Sequence, residues 1–525
     1  MKFPRFSLGI IIGSFVILLV SYVGFMHPTV NAVSFLLIIA CVIVATWVKF
    51  EFGVLLAIWE LMLGGHGYLF SIDLFGFSLS LRIAIFFIIT IFWSFHFLRF
   101  RKTPAFFQSN LRIPFVLVFL FIVYGVIRGF FLNQPSIVYA DANGYIAICY
   151  IVFFVDALKN SIQRARLIRF VLSVMIALAA ATIIISGVFT VFHYDATLGP
   201  AASVNTETYK ELSQIKESES EKALGQRLIK SPGSLTINPL DVTKTKPSTY
   251  RWLRDTGTAE VTYVSGRFFR VFFPSHFFLA LLIFPFLGLF IKNFTWGRIV
   301  PMALVLIALV ISYSRSLWAG MAMSILCWLL YMLFRSRHKK TIFITIGATT
   351  CLVILLFGLH AFQLRSSALD PILHPTQTVS GAHRIELVRG IFNAWQQHPI
   401  LGSGFGALVN FATILPEGEL IYTSFYVYEW AYFDIAVKLG TIGLLIFLLF
   451  LFTIFKHIAR TFFITHDQFA GGLFFGLITL AIANIFTPVF THPLGLSALA
   501  LILMYTISLS YDRTTKNSAA TRNLE

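Results

Sequence analysis

Long apolar runs separated by short polar connections dominate the chain from residue 8 to residue 511. A helix needs about 20 apolar residues to cross the hydrocarbon core of a bilayer. The candidate spans are 8–26, 32–49, 52–65, 80–98, 113–130, 143–157, 168–191, 271–291, 298–313, 316–334, 341–360, 429–455, 469–487 and 491–511. This pattern predicts an all-α, polytopic integral membrane protein with about 14 transmembrane helices, in a range of 12–14.

The composition agrees with lipid as the solvent. Of 525 residues, 58% are hydrophobic and 12% are charged, whereas a soluble domain is roughly 25% charged. Four cysteines lie inside apolar runs, so no disulfide framework or metal set is indicated. The first apolar run is long enough to span and lacks a small-residue cleavage site, so we expect it to be retained as a helix.

The basic residues give the orientation. The formal net charge of +17 is concentrated in alternate connections, which is the positive-inside pattern and not a nucleic-acid surface. The basic connections carry Lys2 and Arg5; Arg99, Arg101, Lys102 and Arg112; Lys159, Arg164, Arg166 and Arg169; Lys292 and Arg298; Arg335, Arg337, Lys339 and Lys340; Lys456 and Arg460; and Arg513 and Lys516. Both termini are therefore expected in the cytoplasm.

Two long polar segments, 192–266 and 361–428, then fall on the extracytoplasmic side. The first is rich in Ser, Thr, Lys and Glu, and the second has aromatic and apolar residues at helical spacing. The expected organisation is N-terminal transmembrane helices (1–191), a polar loop (192–266), central transmembrane helices (267–360), a catalytic loop (361–428), C-terminal transmembrane helices (429–511) and a cytoplasmic tail (512–525).

The second loop contains an arginine where an apolar residue is expected. Read as a helix, residues 383–397 place Ile385, Val388, Ile391, Phe392 and Trp395 on one stripe, and Arg384 lies within it. A guanidinium on a packing face needs an anionic partner. That partner is either a carboxylate of another helix or a phosphate group of a ligand, which the planar guanidinium fork suits well.

A glycine cluster and a carboxylate follow this helix. His398-Pro399 ends the helix, and three glycines come within the next few residues. Tight packing and ligand contact both fit such a turn. Glu429 then opens the next span on one face with Phe433, Ala436, Gly440 and Gly443, either as a general base or as the partner of an arginine.

Other basic residues accompany this segment on the same predicted side. The turn Tyr313-Ser314-Arg315-Ser316 places Arg315 at the membrane boundary, and Asp434 and Lys438 are spaced to pair. Lipid phosphates are the alternative partner for Arg267. Arg389 is placed on the polar face, near Glu386, where an ordinary ion pair is also expected. The candidate substrate contacts are Arg267, Arg270, His276, Arg389, His398 and Gly404.

The pattern SYSRSLWAG, then HRIELVRGIFNAWQQHPILGSGFG, then a loop and KLGTIGLL resembles the O-antigen ligase and Wzy-type polymerase superfamily, over roughly residues 260–460. The resemblance implies a GT-C-like, multi-span glycosyltransferase of the bacterial inner membrane with an extracytoplasmic active site. It also implies an undecaprenyl-diphosphate-linked glycan donor and a glycan, lipid A-core or protein acceptor, with no nucleotide sugar, cofactor or metal.

The resemblance assigns roles to matching positions. Arg384 and Arg315 match arginines that hold the carrier diphosphate, and Arg270 or Arg267 matches a further one. Ligases of this family carry a histidine eleven residues before the first glycine of the final motif, whereas that position here is Glu429. A glutamate in place of the family histidine favours a polymerase or a divergent ligase-like enzyme.

Other functions fit the residues less well. No DxD triplet or Walker loop is present for nucleotide-activated donors. A lipid-linked oligosaccharide flippase is the main alternative, since such transporters also have twelve to fourteen spans, but it should carry charges along a central cavity. A purely structural membrane protein leaves the Arg384 stripe unexplained.

Overall fold

The computed structural model describes residues 6–74, 77–100, 104–158, 160–192, 247–265, 268–292, 298–335, 379–414 and 420–522. Helices dominate this part of the chain. They are α1 (Leu8–Met26), α2 (Pro28–Val48), α3 (Phe50–Leu63), α4 (Leu81–Phe100), α5 (Arg112–Leu132), α6 (Pro135–Ala142), α7 (Tyr150–Val155), α8 (Ser161–Phe192), α9 (Ser248–Asp255), α10 (His276–Lys292), α11 (Ile299–Ile311), α12 (Arg315–Arg335), α13 (Val379–Gln397), α14 (Ala431–Thr465), α15 (Gln468–Phe486) and α16 (Pro493–Arg522). Short 3₁₀ helices occupy Ala105–Gln108 and Asn143–Cys149.

Ten of the described helical segments are long and apolar enough to cross a membrane. Two further apolar helices, His276–Ile291 and Ile299–Ile311, are shorter, with 10–17 residues. The chain is therefore a mostly helical, multi-pass membrane protein, as predicted. The predicted count of about fourteen is not confirmed: α3 has only 14 residues, and the expected span 341–360 lies outside the described residues.

Small residues let the central helices approach closely. A Cβ at Gly472 of α15 would meet the backbone of Pro285 in α10, and one at Gly320 of α12 would meet the carbonyl oxygen of Thr479 in α15. Van der Waals packing of this kind drives helix association in lipid. The first four turns of α16 are almost entirely buried, so this helix forms part of the centre of the bundle.

Three β-hairpins correct the all-α prediction. They pair β1 (Ser71–Leu74) with β2 (Phe77–Ser80), β3 (Glu260–Ser265) with β4 (Phe268–Phe272), and β5 (Val409–Ile414) with β6 (Leu420–Phe425). All are antiparallel. Their β-branched and aromatic residues favour strands, but runs this short are difficult to distinguish in sequence from loops or from the ends of membrane spans.

The connections that carry these hairpins meet one another. His66 N–H donates to the carbonyl of Gly257 at 3.0 Å, and Arg270 Nε donates to the carbonyl of Ser312 at 2.9 Å. Ser316 Oγ lies 2.8 Å from Thr487 Oγ1. The charge pattern assigns all of these connections to one side of the membrane, which we call the loop side.

The other connections meet at the opposite end of the bundle. Arg166 Nη1 lies 2.7 Å from Glu51 Oε1, and Arg164 Nη1 donates to the carbonyl of Ser508 at 3.0 Å. Both arginines belong to the basic connections of the sequence pattern. The bundle thus separates the two sets of connections as the pattern requires.

Candidate active site

Arg270 is held at the loop side by three neighbours. Its guanidinium lies 5.1 Å from the ring centroid of Phe272, and its Nε donates to the carbonyl of Ser312. Its Nη2 lies 3.8 Å from Glu260 Oε2. The side chain is 27% exposed, so the guanidinium is fixed in position while part of it still faces solvent.

Glu260 is a site residue that sequence reasoning missed. It pairs with Phe272 across the β3–β4 hairpin, and Arg270 pairs with Thr262, so Glu260 and Arg270 are diagonal neighbours. The Glu260 side chain is 52% exposed. Partial burial raises the pKa of Glu260, Arg270 opposes that rise, and the nearby Glu429 carboxylate adds to it.

The turn that carries Arg315 is present as predicted. Helix α11 ends at Ile311, Tyr313 adopts a left-handed conformation with φ of 47°, and α12 begins at Arg315. Trp318 Nε1 donates to the carbonyl of Leu309 at 2.9 Å, which ties the two helices together across the turn. Since Arg270 binds the carbonyl of Ser312, this turn brings the Arg315 backbone close to the β3–β4 hairpin.

Glu429 lies just before its helix and not within it. The helix starts at Ala431, after Trp430 with φ of 75°. Trp430 packs edge-on against Phe486 of α15, which places the exposed Glu429 at the mouth of the bundle. The predicted shared face with Phe433 and Gly440 is wrong, because Glu429 precedes the helix and Gly440 interrupts it with φ of 74°.

Helix α13 is present, but its packed stripe differs from the predicted one. Leu387 and Ile391 are buried against Tyr428 and Val437, whereas Phe392 is 48% exposed. The stripe is therefore rotated toward Leu387, which the prediction left out. Position 384 lies seven residues before Ile391, on the same side of the helix, but the Arg384 side chain lies outside the described residues.

Arg389 and His398 are both exposed on this segment. Arg389 lines an open groove of about 330 Å³ together with Val388, Phe392, Asn393 and Phe433. The groove is open to solvent, so Arg389 is accessible from outside the protein. The substrate-contact roles of Arg389 and His398 stay predictions.

The glycine cluster is explained by backbone packing. Gly402, Gly404 and Gly406 have φ values of 73°, 76° and 78°, which glycine adopts at low cost. A Cβ at Gly404 would overlap the backbone nitrogen of Gly129 in α5, and one at Gly402 would overlap the backbone of Lys438. The loop therefore packs between α5 and α14. This packing alone accounts for a glycine at position 404, and the role of Gly404 in substrate binding stays a prediction.

A buried ion triad anchors this loop. Lys438 Nζ lies 2.7 Å from Asp434 Oδ1, which confirms the predicted pair, and 2.7 Å from Asp141 Oδ1 in α6. Asp141 Oδ2 accepts from the Gly406 backbone N–H at 2.8 Å. No local pattern pointed to Asp141, since its partners lie far away in sequence.

One further predicted residue is described in a different setting from the predicted one, and another is not described. His276 is fully buried, and its Nε2 lies 2.9 Å from Thr182 Oγ1 of α8, so the ring is part of the bundle interior. Arg267 lies outside the described residues. Their roles as substrate contacts stay predictions, and the residues that the described structure brings together are Glu260, Arg270 and Glu429, with the Arg315 turn beside them.

We call these four residues the arginine–carboxylate cluster. The two arginines can bind phosphate oxygens, and the two carboxylates can accept the proton of a hydroxyl group. Residues 300–448 match the family model Wzy_C, described as O-antigen ligase. This matched segment, which covers a little over a quarter of the chain and which we call the O-antigen ligase domain, is similar to that family. A comparison with curated proteins finds no match.

The O-antigen ligase domain contains most of the predicted site. Arg315, Arg384, Arg389, His398 and Glu429 all lie inside residues 300–448. The hairpin with Glu260 and Arg270 lies before the matched segment and joins it only in three dimensions. The family implies a membrane glycosyltransferase of the ligase or polymerase kind, acting on lipid-linked glycans.

Proposed function

We propose that this protein transfers or polymerises glycan from an undecaprenyl-diphosphate-linked donor, at the extracytoplasmic face and without a metal ion. The arginine–carboxylate cluster carries the proposal, because it sets cations and carboxylates at the loop side of a membrane bundle with an O-antigen ligase domain. Polymerase and ligase-like chemistry both fit, and Glu429 at the family histidine position favours a polymerase or a divergent ligase.

The arginines bind the diphosphate of the donor. Arg270 is fixed by Phe272 and the carbonyl of Ser312, so little side-chain freedom is lost when it binds an anion. Arg315, whose turn lies beside Arg270 at the start of α12, is assigned to the same task, as are Arg384 and Arg267. Negative charge grows on the diphosphate as it leaves, and fixed guanidinium groups stabilise that charge.

Glu429 acts as the general base. Its exposed carboxylate takes the proton of an acceptor hydroxyl while the hydroxyl oxygen forms a bond to the anomeric carbon. The bond between that carbon and the phosphate oxygen breaks, and the diphosphate leaves with the electron pair. Attack opposite the leaving group inverts the configuration of the sugar carbon.

The positions of buried charges support transfer over flipping. Within the described residues, the buried acidic and basic side chains lie in the first or last turns of their helices, or in the second turn for Lys438. They are Glu51, Glu60, Arg82, Asp141, Arg164, Asp434 and Lys438. A central charged cavity, as expected for a flippase of an anionic lipid, is not among these features.

The proposed orientation places both termini in the cytoplasm and the cluster outside. The charge pattern and the meeting of the loop-side connections support it. Cysteines introduced at exposed Asp73 of the loop side and at exposed Lys456 of the opposite end should differ in labelling by an impermeant maleimide added to intact cells. Labelling at position 73 alone is expected, and labelling at position 456 alone would reverse the assignment.

Reconstitution tests the function. The purified protein in liposomes, given the lipid-linked glycan from its native cells, should form a longer glycan or a new conjugate of inverted anomeric configuration. Arg270→Ala should lower transfer by about 10²-fold, by analogy with loss of one transition-state donor. Arg254→Ala, which removes an arginine paired with its own neighbour Asp255, is the matched control. Full activity of Arg270→Ala would remove the diphosphate role of that residue.

A further inference from the structure

Two histidines outside the O-antigen ligase domain face each other at the loop side. His66 lies in the connection from α3 to β1, and His492 lies in the connection from α15 to α16. His492 Nε2 lies 3.3 Å from His66 Nδ1, and the rings meet edge to face with centroids 5.2 Å apart. Neither residue has a part in the transfer chemistry described above.

The hydrogen bonds around the pair fix its protons. The Leu494 backbone N–H donates to His492 Nδ1 at 3.3 Å, so Nδ1 carries no proton and Nε2 of the neutral ring does. His492 Nε2–H then donates to His66 Nδ1, which leaves the His66 proton on Nε2. The pair therefore ends in one neutral N–H donor on an exposed ring.

Desolvation and the nearby Arg82 keep the pair neutral. Although part of the His66 ring is exposed, desolvation by the surrounding protein, followed by the Arg82 guanidinium, lowers the pKa of His66 to about 4. Burial, His66 and Arg82 lower the pKa of His492 well below its usual value. Arg82 itself is offset by Glu60, whose Oε1 lies 3.0 Å from Arg82 Nη2, so the region carries little net charge.

The backbone beneath His66 is locked in place. Arg82 Nη2 donates to the carbonyl of Gly65 at 2.8 Å, and the His66 N–H donates to the carbonyl of Gly257. A Cβ at Gly257, where φ is 61°, would come within 2.6 Å of His66 Cδ2. The ring is thus held on a rigid frame through Gly257, which lies three residues before Glu260 of the arginine–carboxylate cluster.

Two tyrosines accompany the exposed ring. Tyr68 lies two residues after His66 and is 39% exposed. Tyr426 is half-buried directly after β6, and burial, Asp141 and, to a smaller extent, Tyr68 raise its pKa. An uncharged N–H donor with a partly exposed tyrosine two residues along the chain matches a neutral ligand that combines hydroxyl groups with an apolar face.

We propose that His66, with Tyr68 beside it, forms a carbohydrate subsite that binds a sugar ring of the glycan through the His66 Nε2–H and the tyrosine face, with His492 as the positioning residue. This proposal rests on the proposed glycan transfer. It identifies residues that bind the glycan away from the diphosphate. A metal site does not fit, because the two facing nitrogens are already engaged with each other.

The test separates binding from transfer. The proteins compared are the wild type, His66→Ala, His66→Gln and Tyr68→Ala, with exposed His27→Ala on the α1–α2 connection as the control. Each is reconstituted, and KM and kcat are measured with the lipid-linked glycan from the native cells. Binding of the free oligosaccharide, released from the same lipid, is measured in parallel by titration calorimetry.

Loss of one hydrogen bond to a neutral group predicts a rise in KM and in the oligosaccharide Kd of about 3- to 10-fold for His66→Ala. The kcat should stay within about 2-fold. The rise in KM and Kd should be smaller for His66→Gln, because glutamine keeps a donor, and His27→Ala should match the wild type.

Unchanged KM and Kd in both His66→Ala and Tyr68→Ala would overturn the subsite while leaving glycan transfer intact. If the wild type transfers no glycan, the proposed function fails, and oligosaccharide binding that depends on His66 still supports the subsite. Absence of both transfer and binding overturns both proposals.

Discussion

Lys438 Nζ lies 2.7 Å from a carboxylate oxygen of Asp141, a residue 297 positions earlier in the chain. Both side chains are at most 2% exposed. The contact joins α6 to α14, and Asp141 in turn holds the Gly406 N–H of the loop before the β5–β6 hairpin. The approach to Glu429 is therefore positioned by a buried ion triad that is separate from the arginine–carboxylate cluster.

Lys438→Met should destabilise the protein strongly. The substitution leaves two carboxylates buried without their cation, which costs about 3–5 kcal/mol when one partner of a buried pair is removed. Thermal unfolding in detergent, followed by size-exclusion chromatography, measures the effect. Lys456→Met, at an exposed position of the same helix, should stay within about 0.5 kcal/mol of the wild type. Equal stability of the two variants would show that the triad does not hold the loop.

The kink at Gly440 predicts a second stability effect. Gly440 has φ of 74°, and a Cβ there would overlap the carbonyl of Ile400. Gly440→Ala should cost more than about 1 kcal/mol, because it adds both an unfavourable conformation and a clash. Gly187→Ala is the control, since nothing lies within 4 Å of a Cβ at that helical position, and it should be neutral or slightly stabilising. A neutral Gly440→Ala would mean that the kink can be removed without loss.

Hydropathy and charge were sufficient for the helical framework. The limits of α1, α2 and α15 fall within a few residues of the predicted spans, because the signal for crossing lipid is local in sequence. The sequence also predicts the turn before Arg315 and the Asp434–Lys438 pair, because each depends on residues close together in the chain.

The missing parts depend on distant partners. The role of Asp141 cannot be predicted from its neighbours in sequence, because it depends on contact with the distant Lys438. The role of Glu260 likewise depends on its proximity to Arg270 and Glu429. The hairpins were missed because strands of four to six residues in a membrane protein resemble the ends of spans. The predicted buried stripe of α13 includes Phe392 and omits Leu387, because both positions fit a helical period over a short segment.

Donor binding should depend on pH through Glu260. Its pKa is raised, so the carboxylate takes up a proton at a higher pH than a free glutamate does. Above that range Glu260 is charged and opposes an anionic donor at Arg270, and below it the opposition is lost. The donor Kd of the wild type, measured without acceptor as the pH is lowered from 8 into the range where Glu260 takes up its proton, should therefore fall by about 3- to 10-fold.

Glu260→Gln should bind the donor tightly over the whole range, because its side chain cannot ionise. Glu429 is present in both proteins, so the difference between them isolates Glu260. Asp73→Asn, at an exposed position of the β1–β2 hairpin, should follow the wild type. The same pH dependence in Glu260→Gln and wild type would contradict the role of Glu260.

The release of undecaprenyl diphosphate from the lipid-linked glycan, measured in a single turnover, tests the central claim most directly. The wild type should release the carrier and form one new glycosidic bond for each carrier released. Glu429→Gln should bind the donor normally but react about 10²- to 10⁴-fold more slowly, and Glu429→His should recover part of that rate. Carrier release at the wild-type rate by Glu429→Gln, or no release by the wild type, would contradict the account.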